Sequence, residues 1–152
     1  CAQRWGLVSS VTRLVHFGPL PDELSRRYDA LLEVEHSIVR ATVPGNALSE
    51  IFEIGRRAYR AAGFEGEEQK HFQGGTCGYF GREQELAPSV SYRIREGEVF
   101  AHNPSIAGVK LEDTLLTSDN GAFEILTEVP GWPVRELSIE GVSLRRPEIL
   151  IR

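Results

Sequence analysis

His71-Phe72-Gln73-Gly74-Gly75-Thr76-Cys77-Gly78-Tyr79-Phe80-Gly81-Arg82-Glu83 lies in the middle of a chain whose two halves differ in texture, and it limits what each can fold into. Ahead of it, apolar residues recur at helical spacing. From Phe64 onward glycine is frequent, and Val, Ile, Leu and Thr come in short runs bounded by Pro, Gly or Asp-Asn-Gly. That second pattern predicts antiparallel strands joined by turns. Gly74, Gly75 and Gly78 suit either a β-bulge with close strand packing or the close approach of backbone to a ligand.

The segment Leu7 to Val15 is short and β-branched, and reads as a strand. Gly18-Pro19-Leu20-Pro21 ends it, and Asp22-Glu23 then places negative charge where a helix dipole favours it. Leu24, Tyr28, Leu31, Glu35 and Ile38 predict a helix over about 21–42, stopped by Pro44-Gly45-Asn46. Leu48, Ile51, Phe52, Gly55, Tyr59 and Ala62 share a face of a second helix closed by Gly63. Ser118-Asp119-Asn120-Gly121 is the strongest turn signal. Residues 130–152, with Trp132, three prolines and Glu140-Gly141, read as a strand-forming tail that wraps the body. The expected architecture is a single α+β domain over 1–152, with two helices on one face of a curved antiparallel sheet.

The 152 residues, 17.0 kDa, 41% hydrophobic and 26% charged, are those of a globular domain. A net charge of −5 and a pI near 5.4 exclude nucleic acid or an anionic membrane as the main partner. No apolar run approaches the ~20 residues needed to span a bilayer. With Cys1 and Cys77 alone, a disulfide framework is not expected, and a reducing cytoplasm is. The absence of Met and of a conventional start leads us to expect a piece of a longer protein.

Several motifs in order give this chain a family likeness. Ser10-Val11-Thr12-Arg13 is similar to an Asp-x-Thr-Arg strand. Val43-Pro44-Gly45, a helix, then Ala62-Gly63-Phe64 is similar to a "Pro-Gly, helix, Ala-Gly-Tyr" connection. His71 to Glu83 is similar to a His-rich glycine segment, and Arg95 to Phe100 to a "Gly-Met-Val-Phe" strand entry. Leu111-Glu112-Asp113-Thr114, with Thr117, Asp119 and Gly121, is similar to a "Glu-Asp-Thr … Val-Thr-x-x-Gly" hairpin. Over Leu7 to Thr127 the chain thus resembles the pita-bread metallopeptidases: methionine aminopeptidase, Xaa-Pro aminopeptidase, prolidase and creatinase. The resemblance implies an incomplete C-terminal, catalytic-type pita-bread domain, because the family's domain begins earlier.

It also implies a metal site. Active relatives hold two divalent ions about 3.5–4 Å apart that make a nucleophile of a bridging water. In that pattern one Asp falls before Cys1, the second aligns with Ser10, the ligand His with Gly75 and one ligand Glu with Asn103; the last Glu is Glu112. One carboxylate and one amide cannot offset two dications, so no dinuclear metal site and no cofactor are expected. Mn, Co or Zn enters only under an alternative reading with unseen ligands. His102, beside Asn103, points to the other sheet face by strand alternation. His71 falls at a substrate-contacting His, and Arg82 at an outer His. The pocket then comprises His71 and Glu112 as catalytic candidates, with Arg82 and Asn103 as substrate-binding ones. Arg82 can bind a carboxylate bidentately, and creatinase is a metal-free hydrolase of this fold that uses a His.

Simpler readings stand beside these. A His such as His71 is more often a hydrogen-bonded scaffold residue than a catalyst, and Arg82 with Glu112 reads as a buried ion pair filling the vacated metal site. A Cys77–His71 couple fails on distance, since six residues along a strand span about 20 Å. His16 and His36 are expected at the surface or an interface, and Glu65 to Lys70 in a solvated turn. Three functions follow: a degenerate Xaa-Pro aminopeptidase- or creatinase-like domain binding a small peptide, amide or carboxylate, with metal-free hydrolysis open; a metal-dependent aminopeptidase or dipeptidase; or a non-catalytic scaffold, such as a homodimer covering an exposed sheet edge.

Overall fold

Proline at position 21, with φ −62°, leads into helix α1, Asp22–Ala41, whose first turn carries Asp22 and Glu23 and whose last carries Arg40. Each end therefore matches the sign of the helix dipole. Helix α2, Leu48–Ala61, begins where Glu50 accepts the Ala47 N–H at 3.0 Å. It ends in a Schellman turn: Gly63, at φ +83°, donates to Arg60 O, and Phe64 donates to Tyr59 O at 2.9 Å. The helices cross where Gly55 faces Ile38, whose Cγ1 lies 3.0 Å from where a Gly55 Cβ would stand. Both helices were legible from periodicity, and their bounds agree with it.

The computed structural model describes residues 1–118, 122–139 and 142–152. The turn predicted at Asp119-Asn120-Gly121 and the Glu140-Gly141 pair lie outside the described residues. In chain order the strands are β1 (Ala2–Arg4), β2 (Leu7–Ser9), β3 (Val15–His16), β4 (Gly74–Thr76), β5 (Gln84–Glu85), β6 (Val99–His102) and β7 (Ser105–Ile106). There follow β8 (Val109–Lys110), β9 (Asp113–Thr117), β10 (Phe123–Ile125), β11 (Val134–Ile139), β12 (Val142–Pro147) and β13 (Leu150–Ile151). Five of them make the main antiparallel sheet, in the order β10-β9-β6-β4-β5.

Register assigns the two faces of that sheet. Phe100 pairs with Leu115 and His102 with Asp113, while Ala101 pairs with Thr114; alternate pairs face opposite sides. Phe100 joins Tyr28, Leu31, Ile38, Ile51 and Tyr59 in the main core beneath both helices. The Ala101–Thr114 face looks the other way, and there Ser10 docks by donating its N–H to Thr114 Oγ1 at 2.9 Å.

The expected strand over Leu7 to Val15 is broken. Leu7–Ser9 pairs with β1, Thr12 bridges to Glu112, and Val15–His16 pairs in parallel with β13. Three partners in nine residues prevent one straight ladder, and the bends turn Ser10, Thr12 and Arg13 toward β9. His36 also departs from expectation: it is buried in α1, because the β11–β12 hairpin closes over that side and Val39 packs with Leu115 and Leu144. In the Glu65–Lys70 turn, Glu68 is buried and accepts the Gly66 N–H, so that segment is only partly solvated.

Candidate functional site

Glu112 lies two residues before Thr114 on the face away from the helices. The Thr12 hydroxyl donates to its Oε2 at 2.8 Å, the Lys110 ammonium stands 3.3 Å from the same oxygen, and Arg82 Nη2 donates to Oε1 at 3.1 Å. Both side chains of the Arg82–Glu112 pair are 8% exposed. Arg82 also donates to the Gly81 carbonyl, reaches Ser10 Oγ at 3.4 Å and lies 5.4 Å over the Phe72 ring. Its Nε is buried without a hydrogen-bond partner, as is Asn103 Oδ1. Burial opposes ionisation of Glu112, but Thr12, Lys110 and Arg82 together outweigh it and hold the carboxyl below its ordinary value.

A depressed carboxylate pKa stabilises the fold above the unfolded value, and that contribution is lost as pH falls through the folded value. Acid unfolding followed by circular dichroism is therefore expected to be displaced to higher pH in Glu112→Gln, which lacks the ionised partner. A stability gap between the two proteins that does not narrow as pH falls below about 4.5 would contradict the direction assigned to Glu112.

His71 belongs to a second cluster. Its Nε2 lies 2.6 Å from Ser105 Oγ and its Nδ1 3.0 Å from Gln73 Nε2, while Gln73 Oε1 accepts from the Tyr59 hydroxyl. Asn103 joins this cluster through its backbone, donating to Gln73 O at 3.1 Å. Among the described residues no hydrogen bond or ion pair joins His71 to Arg82, Asn103 or Glu112. The four candidates thus form one contacting pair and two residues held apart from it.

His102 faces the helices. The Thr42 hydroxyl donates to Ile38 O, so its remaining lone pair takes the His102 Nε2–H at 2.8 Å. Burial and the nearby Arg82 charge lower His102 to about 3, so it is neutral. Cys77 is buried, and burial pushes its thiol up, opposite to an activated nucleophile.

Gly74 and Gly75 serve close strand packing. Gly75, at φ +148°, pairs with Ala101 on one side and Glu85 on the other, and a Cβ there would stand 1.9 Å from Gln84 O. A Cβ at Gly74 would stand 2.6 Å from His102 Cα. The position that aligns with the ligand His therefore admits no side chain in this backbone.

Among the described residues, the donors at the aligned metal positions are already engaged. Ser10 Oγ is shared with Cys1 Sγ at 3.0 Å and with Arg82, and Glu112, the one aligned carboxylate, is ringed by two cationic side chains. Among the described residues no group of three or more His, Cys, Asp or Glu is placed to hold a metal ion.

Sequence reasoning missed what lies behind Glu112. Arg146 from β12 donates to Glu35 Oε2 at 2.6 Å and stands 2.9 Å from Asp113 Oδ2; Asp113 Oδ1 accepts from Arg13 at 2.8 Å and from Thr127 Oγ1 at 2.6 Å. Burial pushes the Glu35 carboxyl up while Arg146 opposes it; Arg146, facing two carboxylates, is held charged against its own burial. The signals were Arg13 in the Ser-x-Thr-Arg motif and Glu35 on the apolar face of the first helix; Arg146 lies 111 positions from Glu35.

Two helices on one face of an antiparallel sheet, with the glycine strand and the Glu-Asp-Thr strand carrying the opposite face, define a pita-bread domain of the prolidase type. Residues 1–119 match Metallopeptidase family M24, and this chain belongs to that family. An uncharacterized peptidase of Staphylococcus aureus strain MW2 is 33% identical over 125 residues, covering 78% of this chain and 35% of the relative. One of Staphylococcus epidermidis strain RP62A is 31% identical over 126 residues, covering 79% and 35%. The chain thus spans about a third of the length of these relatives.

Among solved structures, recombinant prolidase from Thermococcus sibiricus superposes with a TM-score of 0.74 at 22% identity, covering 97% of this chain and 37% of that one. The N-terminal domain of FACT complex subunit SPT16 from Cicer arietinum shares the fold at a TM-score of 0.63 and 16% identity, covering 79% and 32%. Among the described residues no helix is long and apolar enough to cross a membrane.

Proposed function

We propose that this chain is a prolidase-like domain in which the Arg82–Glu112 ion pair takes the place of the dinuclear metal site, and that it binds a small peptide-, amide- or carboxylate-containing ligand without metal. The observation that carries the reading is the pair itself, a guanidinium 3.1 Å from the one aligned ligand carboxylate. A dication beside Arg82 would meet like charge at short range in a mostly buried setting.

The same pair supplies a way to take up a ligand. Glu112 keeps Thr12 and Lys110 as donors if Arg82 turns to an incoming carboxylate, so the exchange leaves no buried anion unpartnered. Arg82 Nε, buried without a hydrogen-bond partner, is a further donor for that carboxylate. His71 would serve proton transfer only after leaving Ser105, so hydrolysis is the less supported part of the reading. A reducing cytoplasm is the compartment assumed, in keeping with two free cysteines.

Calorimetric titration tests it. Mn, Co and Zn ions are expected to show no stoichiometric uptake, and an Xaa-Pro dipeptide is expected to bind about tenfold or more weakly to Arg82→Gln, the worth of one charge-assisted hydrogen bond. Two equivalents of metal per chain would sink the proposal and favour a metal-dependent aminopeptidase or dipeptidase.

A second reading, a non-catalytic interaction domain, is favoured by one feature. Trp5, Tyr79 and Phe80 are 86%, 69% and 72% exposed, and Tyr79 packs beside Gly6 at the tip of the β1–β2 hairpin. Aromatic residues grouped at a surface are characteristic of binding faces.

A further inference from the structure

The C-terminal hairpin, beyond the family-matched residues, encloses a cavity of about 330 Å³ on the side of β9 away from Glu112. That is the size of a small-molecule site. Its lining is about equally polar and apolar, the apolar part including Ile125, Val129, Val134 and Trp132. The indole is pinned, because its Nε1–H donates to Glu148 O at 2.9 Å.

Charge in the lining is unevenly committed. The lining holds Arg13, Arg145 and Arg146 with two carboxylates, Asp113 and Glu128. Both Asp113 oxygens are already met by guanidinium groups, at 2.8 and 2.9 Å, and Arg146 is further tied to Glu35. The uncommitted donors lie at Arg13 and Arg145, beside Glu128, which is itself more than half exposed. Arg13 Nε has no hydrogen-bond partner, and Arg145, more than half exposed, has its carboxylate neighbour Glu128 at 3.9 Å, beyond hydrogen-bond reach.

We infer that this cavity is a binding site for a small monocarboxylate with an apolar body, the acid group at Arg145 and the body against Trp132. It is separate from the Arg82–Glu112 face and stands whether or not the function proposed above is right. Guanidinium recognises a carboxylate through paired N–H donors, which a neutral amide cannot match.

The test uses Trp5→Phe, which leaves Trp132 as the one indole reporter of the two in the chain. Titration with phenylacetate is expected to change Trp132 fluorescence saturably. Phenylacetamide, of the same shape without the charge, is expected to bind at least tenfold more weakly, as is phenylacetate to Arg145→Gln. Arg82→Gln is expected to leave phenylacetate binding unchanged. The assignment is overturned by no saturable change at millimolar phenylacetate, by equal affinity for acid and amide, by unaltered binding in Arg145→Gln, or by loss of binding in Arg82→Gln.

Discussion

Replacing Arg146 by Met is expected to cost about 3–5 kcal/mol of folding stability, the range for removing one partner of a buried charge pair. The side chain is 1% exposed and lies between Glu35 and Asp113, which are 2% and 1% exposed. Without it two buried carboxylates share the one remaining guanidinium, Arg13. Glu35→Gln together with Arg146→Met removes one charge of each sign and leaves Asp113 with Arg13, so the double variant is expected to recover much of the loss. Urea denaturation of the single and double variants measures both. A loss under about 1 kcal/mol in Arg146→Met would mean that the network is solvated or replaceable.

The second large effect is expected at Gly75. Gly75→Ala combines a backbone angle disfavoured for a side chain with a contact of 1.9 Å to Gln84 O. Strand β5 cannot step aside freely, because Leu86 N–H donates to Gly74 O at 2.8 Å and Glu83 N–H to Thr76 O at 2.9 Å on either side. Strain and overpacking together should cost about 3 kcal/mol or more. Gly75→His, which restores the residue type of the aligned family position, is expected to destabilise the fold in the same way and to take up no metal. Thermal melting and metal analysis of the two variants check this; a stable Gly75→His protein with bound Mn, Co or Zn would refute it.

Much of the scaffold was legible because it is written locally. Helical spacing from Leu24 to Ile38 and from Leu48 to Ala62, with Asp22-Glu23 and Gly63 at the ends, is information within a few residues of where it is used. The Arg82–Glu112 pair was also anticipated, since two motifs already suspected of sharing a face supplied opposite charges. The broken Leu7–Val15 strand and buried His36 were not, because each depends on a partner far along the chain: Glu112 and β13 in one case, the C-terminal hairpin in the other.

The site divides along the same line. Sequence alone, through the family resemblance, led to the expectation of which residue types stand at the aligned metal positions. Only the tertiary structure decided that Glu112 is held by Arg82, Lys110 and Thr12, that His71 is turned to Ser105 and Gln73, and that Gly75 is closed to any side chain. The reason is physical. Helix ends and strand alternation follow from short-range backbone geometry, whereas a buried charge takes its partners from whatever the fold brings within about 4 Å, however distant in sequence.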